Sequence, residues 1–330
     1  MKNINEYIIG NNVDLLKNLD DSCVDLIYID PPYCTGRDFY HFDDRFTSSQ
    51  DYRDNFMRPI LKECHRILTD VGNIVVHVEP KISHHIRIVL DDIFGEKKFK
   101  NEIVWISGGN HKSTKQLQRN HDTIIVYQKG KESIYNPEHK DYSDDDVKKA
   151  KTCKKSGRKY VTNALVNRQP NVVPRPNLRY EWNGNHVQWY VSKEKMQKLH
   201  DADKLEYSPN TGIPRVKKYL DELDGVPVKD VWSDIKQIQG NEKLDYATQK
   251  PVALLNRIIT MFSNEDSVVL DPCAGSGTVG RSCILTNRNY LLFDINGEGK
   301  ILFEESIKNL KPEIDVQGNP VNNPLLNAMN

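Results

Sequence analysis

Hydrophobic positions along the chain fall into short continuous runs and longer stretches with helical spacing, separated by polar intervals, which predicts an alternating α/β order. Val24-Asp25-Leu26-Ile27-Tyr28-Ile29 reads as a buried strand of a parallel sheet, stopped by Pro31-Pro32. Before it, Tyr7-Ile8-Ile9 is a short strand, and Val13, Leu15, Leu16 and Leu19 mark a short amphipathic helix. Cys34 to Gln50 has no period and is expected to be a long loop. Phe56, Ile60, Leu61, Cys64, Ile67 and Leu68 share a helical face, and Asp70-Val71-Gly72 is expected to turn that helix into the strand Asn73–Val78. Ile82 to Ile93 predicts a helix ended by Gly95, and strands follow at Glu102–Ile106 and Thr123–Tyr127. Regular structure resumes with a helix after Pro251, a strand over Ser267–Asp271, a glycine-rich turn into a helix, and a strand over Tyr290–Asp294. The interval from Asn163 to about Val231 has weak periodicity and is read as a mostly irregular insertion. The tail after Lys311 is rich in Asn and Pro and is expected to be disordered.

Three of these strands run into acids: Asp30, Asp271 and Asp294. In an open α/β sheet, ligands bind at the carboxyl edge of the strands, so three carboxylates there make a site-like arrangement. Asp30-Pro31-Pro32-Tyr33 combines a carboxylate, a free proline carbonyl and a flat ring, which suits an exocyclic amino group on a planar base. A plain strand-ending turn is the alternative for that tetrapeptide. Gly275-x-Gly277-x-x-Gly280 formally matches a dinucleotide-binding turn, so an NAD-dependent oxidoreductase is a rival reading. Against it, Asp271 would set a negative charge beside any pyrophosphate. An acid there suits a cofactor with a cationic amino-acid end.

Lys+Arg and Asp+Glu are both 46, so any basic footprint for nucleic acid must be local. One such block follows Asp144-Asp145-Asp146 and includes Lys154, Lys155 and Arg158; the glycine-led loop with Lys112, Lys115 and Arg119 is another. Solvated surface is the alternative for both. The six cysteines include no C-x-x-C pair, which predicts reduced thiols in a cytoplasm and no zinc site, and no apolar run approaches a membrane span.

Together, Asp30-Pro31-Pro32-Tyr33, Thr248-Gln249-Lys250-Pro251 and Asp271-Pro272-Cys273-Ala274-Gly275-Ser276-Gly277-Thr278, in that order, resemble the amino-methylating DNA methyltransferases of the beta order. The chain looks most similar to Type III-like modification enzymes and their orphan relatives. The resemblance implies a Rossmann-like, seven-stranded S-adenosylmethionine-dependent methyltransferase fold with circularly permuted motif order. It divides the chain into a catalytic half (1–129), a target-recognition insertion (130–231), a cofactor half (232–311) and a tail (312–330). It further implies methyl transfer to adenine N6, or to cytosine N4, of a base flipped out of double-stranded DNA, without a metal. Asp30, Pro31, Pro32 and Tyr33 would be catalytic. S-adenosylmethionine would be held by Asp30, Thr248, Lys250, Asp271, Cys273, Ala274, Gly275, Gly277, Thr278 and Asp294. A homodimer and a companion restriction endonuclease are partners of the resembled group. RNA or protein-amide methylation is the alternative within methyl transfer. Departures from the pattern are Asn11-Asn12 where an acid is common, Cys273 in place of phenylalanine, and Ala247 in place of proline.

Overall fold

The computed structural model describes residues 4–36, 38–39, 42–108, 117–169, 174–238, 240–308 and 310. They form two compact units, Met1–Glu138 with Lys229–Asn330, and His139–Val228.

The first unit is built on eight strands: β1 (Glu6–Ile9), β2 (Val24–Ile29), β3 (Leu68–Val78), β4 (Phe99–Trp105), β5 (Asp122–Gln128), β6 (Val231–Trp232), β7 (Val268–Asp271) and β8 (Asn289–Asp294). Its helices are α1 (Asn12–Lys17), α2 (Arg58–Ile67), α3 (Pro80–Phe94), α4 (Val252–Phe262), α5 (Thr278–Leu285) and α6 (Gly297–Ile307). The sheet order is β1-β8-β7-β2-β3-β5-β4-β6. Every neighbouring pair is parallel except the two made by β5. This is the mostly parallel sheet with one antiparallel strand, with the two-residue β6 as an eighth strand at the edge.

Chain order reverses between β2 and β7: β2 leads to its neighbour β3 on one side, and β7 to β8 on the other. Such a switch point opens a crevice at the carboxyl edge, where adjacent connections leave in opposite directions. Strand β2 is fixed there by burial. Leu26, Ile27 and Ile29 are fully buried and Tyr28 nearly so, each side chain contributing about 1.5–3 kcal/mol. Ile27 and Ile29 join one core with Leu16 of α1, Ile60 and Leu61 of α2, and Ile86 and Val89 of α3. Side chains alternate along a strand, so Leu26 and Tyr28 face the other way. On that second face lies the end of α4, since Asn73 donates to the Phe262 carbonyl at 3.2 Å. Helices therefore cover both faces, as a largely parallel sheet requires.

Three local expectations are corrected. The helix expected from Phe56 begins with a turn at Ser49–Asp51, where the Ser48 hydroxyl accepts from the Asp51 N–H, and a π-helical segment at Tyr52–Met57 then leads into α2. The turn expected at Asp70–Gly72 is absorbed into β3 as a bulge, because Val24 pairs with Leu68 but Leu26 pairs with Asn73. The third correction concerns the second unit, which is far from irregular. Leu205–Tyr207, Pro214–Tyr219, Lys159–Ala164 and Lys151–Thr152 form a four-stranded antiparallel sheet in that order. Arg179–Trp182 and Asn185–Gln188 form a hairpin closed by Asn183 and Gly184, both at positive φ. Its strands have two to six residues and half-exposed faces, too short for a clear period; Leu165, Trp189, Met196 and Leu205 are its core.

The expected loop at 34–50 holds a two-residue hairpin, Asp38–Phe39 with Phe42–Asp43. The disordered-tail expectation falls outside the described residues. No helix among the described residues is long and apolar enough to cross a membrane.

Candidate functional site

Parallel strands deliver their terminal residues to one edge, and Asp30, Asp271 and Asp294 line a single cavity of about 360 Å³ there. Among the described residues lining it, Lys250 is the lone cation against four aspartates, the fourth being Asp44. That charge balance repels phosphate groups and suits a ligand with a positive end.

Asp30 follows β2 and carries two short contacts. The Tyr33 hydroxyl donates to Oδ1 at 2.5 Å, and the Lys250 ammonium meets Oδ2 at 2.5 Å. Lys250 reaches it because Pro251 starts α4 on the same sheet face, and the ammonium lies 5.2 Å from the centre of the Tyr33 ring. Burial, then the Asp30 carboxylate, pushes the Tyr33 phenol far above its ordinary range, so it stays a donor. Behind this group, fully buried His77 links the Tyr28 hydroxyl (2.9 Å) to Asp122 (3.2 Å), with Trp105 edge-on at 5.7 Å. Burial opposes ionisation of Asp122, yet the His77 hydrogen bond and the charges of His77, Lys250 and Arg119 hold its carboxyl below the usual range.

Strand β7 ends in Asp271, 3% exposed, whose Oδ1 accepts the Cys273 N–H at 2.9 Å. Burial pushes this carboxyl well above the ordinary range, with Asp30 and Asp294 adding to the rise and Lys250 opposing it. The turn that follows needs glycine. Gly275 and Gly277 have φ of +51° and +73°, and a Cβ on Gly277 would lie 2.6 Å from Phe303 of α6. The Gly275 N–H donates to Asp294 Oδ2 at 2.8 Å, and the Tyr7 hydroxyl to the Gly275 carbonyl at 2.6 Å. Asp294 is thereby aimed by the turn it supports. Ala274 and Thr278 complete this wall, Thr278 opening α5. Asn12 donates to the Cys273 sulfur at 3.7 Å, and burial keeps that thiol neutral.

Thr248 lines the same cavity, as do Pro31 and Pro32. Gln249 faces its own loop, accepting from the Leu244 N–H and donating to the Glu242 carbonyl. Sequence reasoning did not find Tyr246, Phe56, Thr35 or Asp44, which also line the cavity. Asp44 is buried beneath the tetrapeptide's loop, where it accepts from the Cys34 and Thr35 N–H groups at 2.7 and 2.8 Å. Nothing local marks it; only its partners do.

Lys112 and Lys115 lie outside the described residues. Arg119 pairs with Glu79. In the second unit Lys155 pairs with Asp203 at 3.2 Å, and Arg158 forks onto Asp221 and touches Glu222, whereas Lys154 is exposed. Arg168, Arg175 and Arg179 are exposed and have no acidic partner among the described residues. Their backbones converge on Gln188, which accepts from the Asn167 and Arg175 N–H groups and pairs with Arg179 across the hairpin.

A DNA methylase family model matches residues 24–305. Among curated relatives, the Type II methyltransferase M.EcaI of Enterobacter cloacae is 30% identical over 312 residues, 88% of this chain and 66% of its own length. The Type III StyLTI Mod subunit of Salmonella typhimurium is 27% identical over 86% of this chain and 50% of its length. The DNA adenine methyltransferase YhdJ of Escherichia coli is 26% identical over 88% of this chain and 78% of its length. The chain thus spans half to two thirds of the length of the first two. A DNA modification methylase from Thermus thermophilus shares the fold with a TM-score of 0.51, at 15% identity over 91% of this chain and 93% of its own. PvuII cytosine-N4-specific DNA methyltransferase does so at 0.50, with 13% identity over 98% and 90%. The family match sets aside the oxidoreductase reading, and S-adenosyl-L-methionine, the methyl donor of this family, fits a cavity of four aspartates. By its fold, its site and the match over residues 24–305, the chain belongs to the N6/N4 DNA methylase family.

Proposed function

We propose that this protein transfers a methyl group from S-adenosylmethionine to the N6 amino group of adenine in double-stranded DNA. The observation that carries the reading is Asp30, held between Tyr33 and Lys250 at the mouth of an acidic cavity. A flipped base stacks on Tyr33, at an unpairing cost of about a few kcal/mol. Its two amino hydrogens go to the Asp30 carboxylate and the Pro31 carbonyl, which turns the nitrogen lone pair out of the ring's π system. Bound along the glycine turn, the cofactor supplies an electrophilic sulfonium methyl; the C–S bond breaks as the N–C bond forms, and the nitrogen gives up one proton. The protein's share is placement and electrostatics. Asp294 binds the ribose hydroxyls, Asp271 the ammonium, and Thr248, Cys273, Ala274, Gly275, Gly277 and Thr278 wall the methionine end. The restriction-modification names of relatives extend the reading to modification beside an endonuclease. Chromatography of nucleosides from DNA incubated with the protein and labelled cofactor tests the base: N6-methyladenine supports the reading, and N4-methylcytosine replaces adenine by cytosine.

Asp271 gives cofactor binding a pH dependence of known sign. Its carboxyl is raised in the empty site, and an adjacent ammonium lowers it, so binding between those two values releases a proton. Affinity therefore climbs as pH rises through that interval, by at most about tenfold per pH unit. Calorimetric titration in two buffers of different ionisation enthalpy counts the proton, and Asp271→Asn removes it.

For DNA contact, the unpaired Arg168, Arg175 and Arg179 are the stronger candidates, since Lys155 and Arg158 already spend their charge on acids. Each arginine lost from a phosphate contact lowers the slope of log affinity against log salt by about 0.9. Fluorescence anisotropy with duplex DNA over a salt series measures this, and Arg158→Ala is expected to change the slope far less.

A further inference from the structure

Both oxygens of Asp30 are occupied in the structure, by donors of different kinds. Tyr33 is half-buried and belongs to the tetrapeptide's own loop, where Cys34 follows at positive φ. Its hydroxyl leaves Oδ1 whenever the ring turns to meet a base. Lys250 is held differently. Gln249 ties its loop to Leu244 and Glu242, Glu242 Oε1 accepts the Val252 N–H at 2.6 Å, and Pro251 fixes the entry to α4. Its side chain is only 12% exposed. Asp30, Asp122 and Asp271, from three different strands, all act on its charge. Withdrawing this ammonium from Asp30 would leave a largely buried charge uncompensated, which proteins avoid.

Resting on the amino-transfer reading above, we propose that Lys250 is a positioning residue for Asp30 and not a cofactor ligand. Its ammonium keeps Oδ2 through the catalytic cycle, so Oδ1, once Tyr33 lets go, is the oxygen that takes the target amino group. One lone pair of Oδ1 and the Pro31 carbonyl then match the two amino hydrogens. A carboxylate free to rotate would present either oxygen and blur the nitrogen's aim, and aim is where such an enzyme's rate comes from.

The test compares wild type, Lys250→Met and Lys250→Arg in two measurements: the cofactor dissociation constant without DNA, and the single-turnover rate into duplex DNA at saturating cofactor. Lys250→Met is expected to bind cofactor within about threefold of wild type while the rate falls about 100-fold, and Lys250→Arg, which still donates to Oδ2, to recover about tenfold of that loss. A Lys250→Met protein whose cofactor affinity drops tenfold or more with its saturated rate intact overturns the proposal, and so does one unchanged in both. If Lys250→Met does not fold, Lys250→Gln, which keeps a donor without the charge, is read by the same two measurements. A wild-type protein that binds cofactor but labels no DNA overturns the amino-transfer reading and this proposal with it. Active wild type beside an unaffected variant overturns the proposal alone.

Discussion

Asp30→Ala is expected to lower the single-turnover rate of methyl transfer by about 10³-fold or more, with cofactor affinity changed only a few-fold. Alanine removes the acceptor that turns the amino lone pair toward the methyl group, and it leaves Lys250 facing the base position with nothing to neutralise it. An ammonium there repels hydrogen-bond donors, so the variant loses alignment and gains an unfavourable charge. Asp30→Asn keeps one acceptor oxygen in the same place and is expected to lose less, about 10- to 100-fold. Both rates are read at saturating cofactor and DNA, so that binding defects do not enter.

The second large effect concerns stability. Gly277→Ala forces a side chain onto a residue at φ +73° with Phe303 atoms 2.6 Å from the new methyl group. The left-handed conformation costs a non-glycine residue about 1–2 kcal/mol, and overpacking adds about 1–3 kcal/mol more. Gly95 at the end of α3 is the control: its φ is also positive, at +92°, but nothing lies within 4 Å of an added Cβ. Gly95→Ala should therefore carry only the backbone cost, and denaturant melts of the two variants separate the terms. Because Gly275 and Asp294 are linked across the same turn, Gly277→Ala is also expected to weaken cofactor binding where Gly95→Ala does not.

Much of the sheet could be read from the chain because buried parallel strands are written as unbroken apolar runs. Val24–Ile29, Val268–Asp271 and Asn289–Asp294 end in acids, and parallel alignment alone brings those acids to one edge. Contacts between distant segments could not be read. Lys250 and Asp30 are 220 positions apart, and nothing in Thr248-Gln249-Lys250-Pro251 says that its lysine faces a carboxylate. His77 looked like a packing residue, and only the approach of Tyr28 and Asp122 makes it a bridge. In the second unit the strands are too short to show a period, yet Asn183-Gly184 was an available sign, since that dipeptide closes two-residue hairpins whose central residues both need positive φ. Charge counting also misleads there: Lys155 and Arg158 looked like a basic patch until their acidic partners, 48 and 63 positions onward, folded beside them.

The central claim is that the Asp30 cavity methylates DNA. It is tested most directly by incubating the protein with methyl-labelled S-adenosylmethionine and equal masses of unmethylated duplex DNA, RNA and unrelated protein, and measuring where the label goes. The account predicts label in the duplex DNA and in neither of the others. Label in RNA or protein with none in DNA, from a preparation that binds the cofactor, would contradict it.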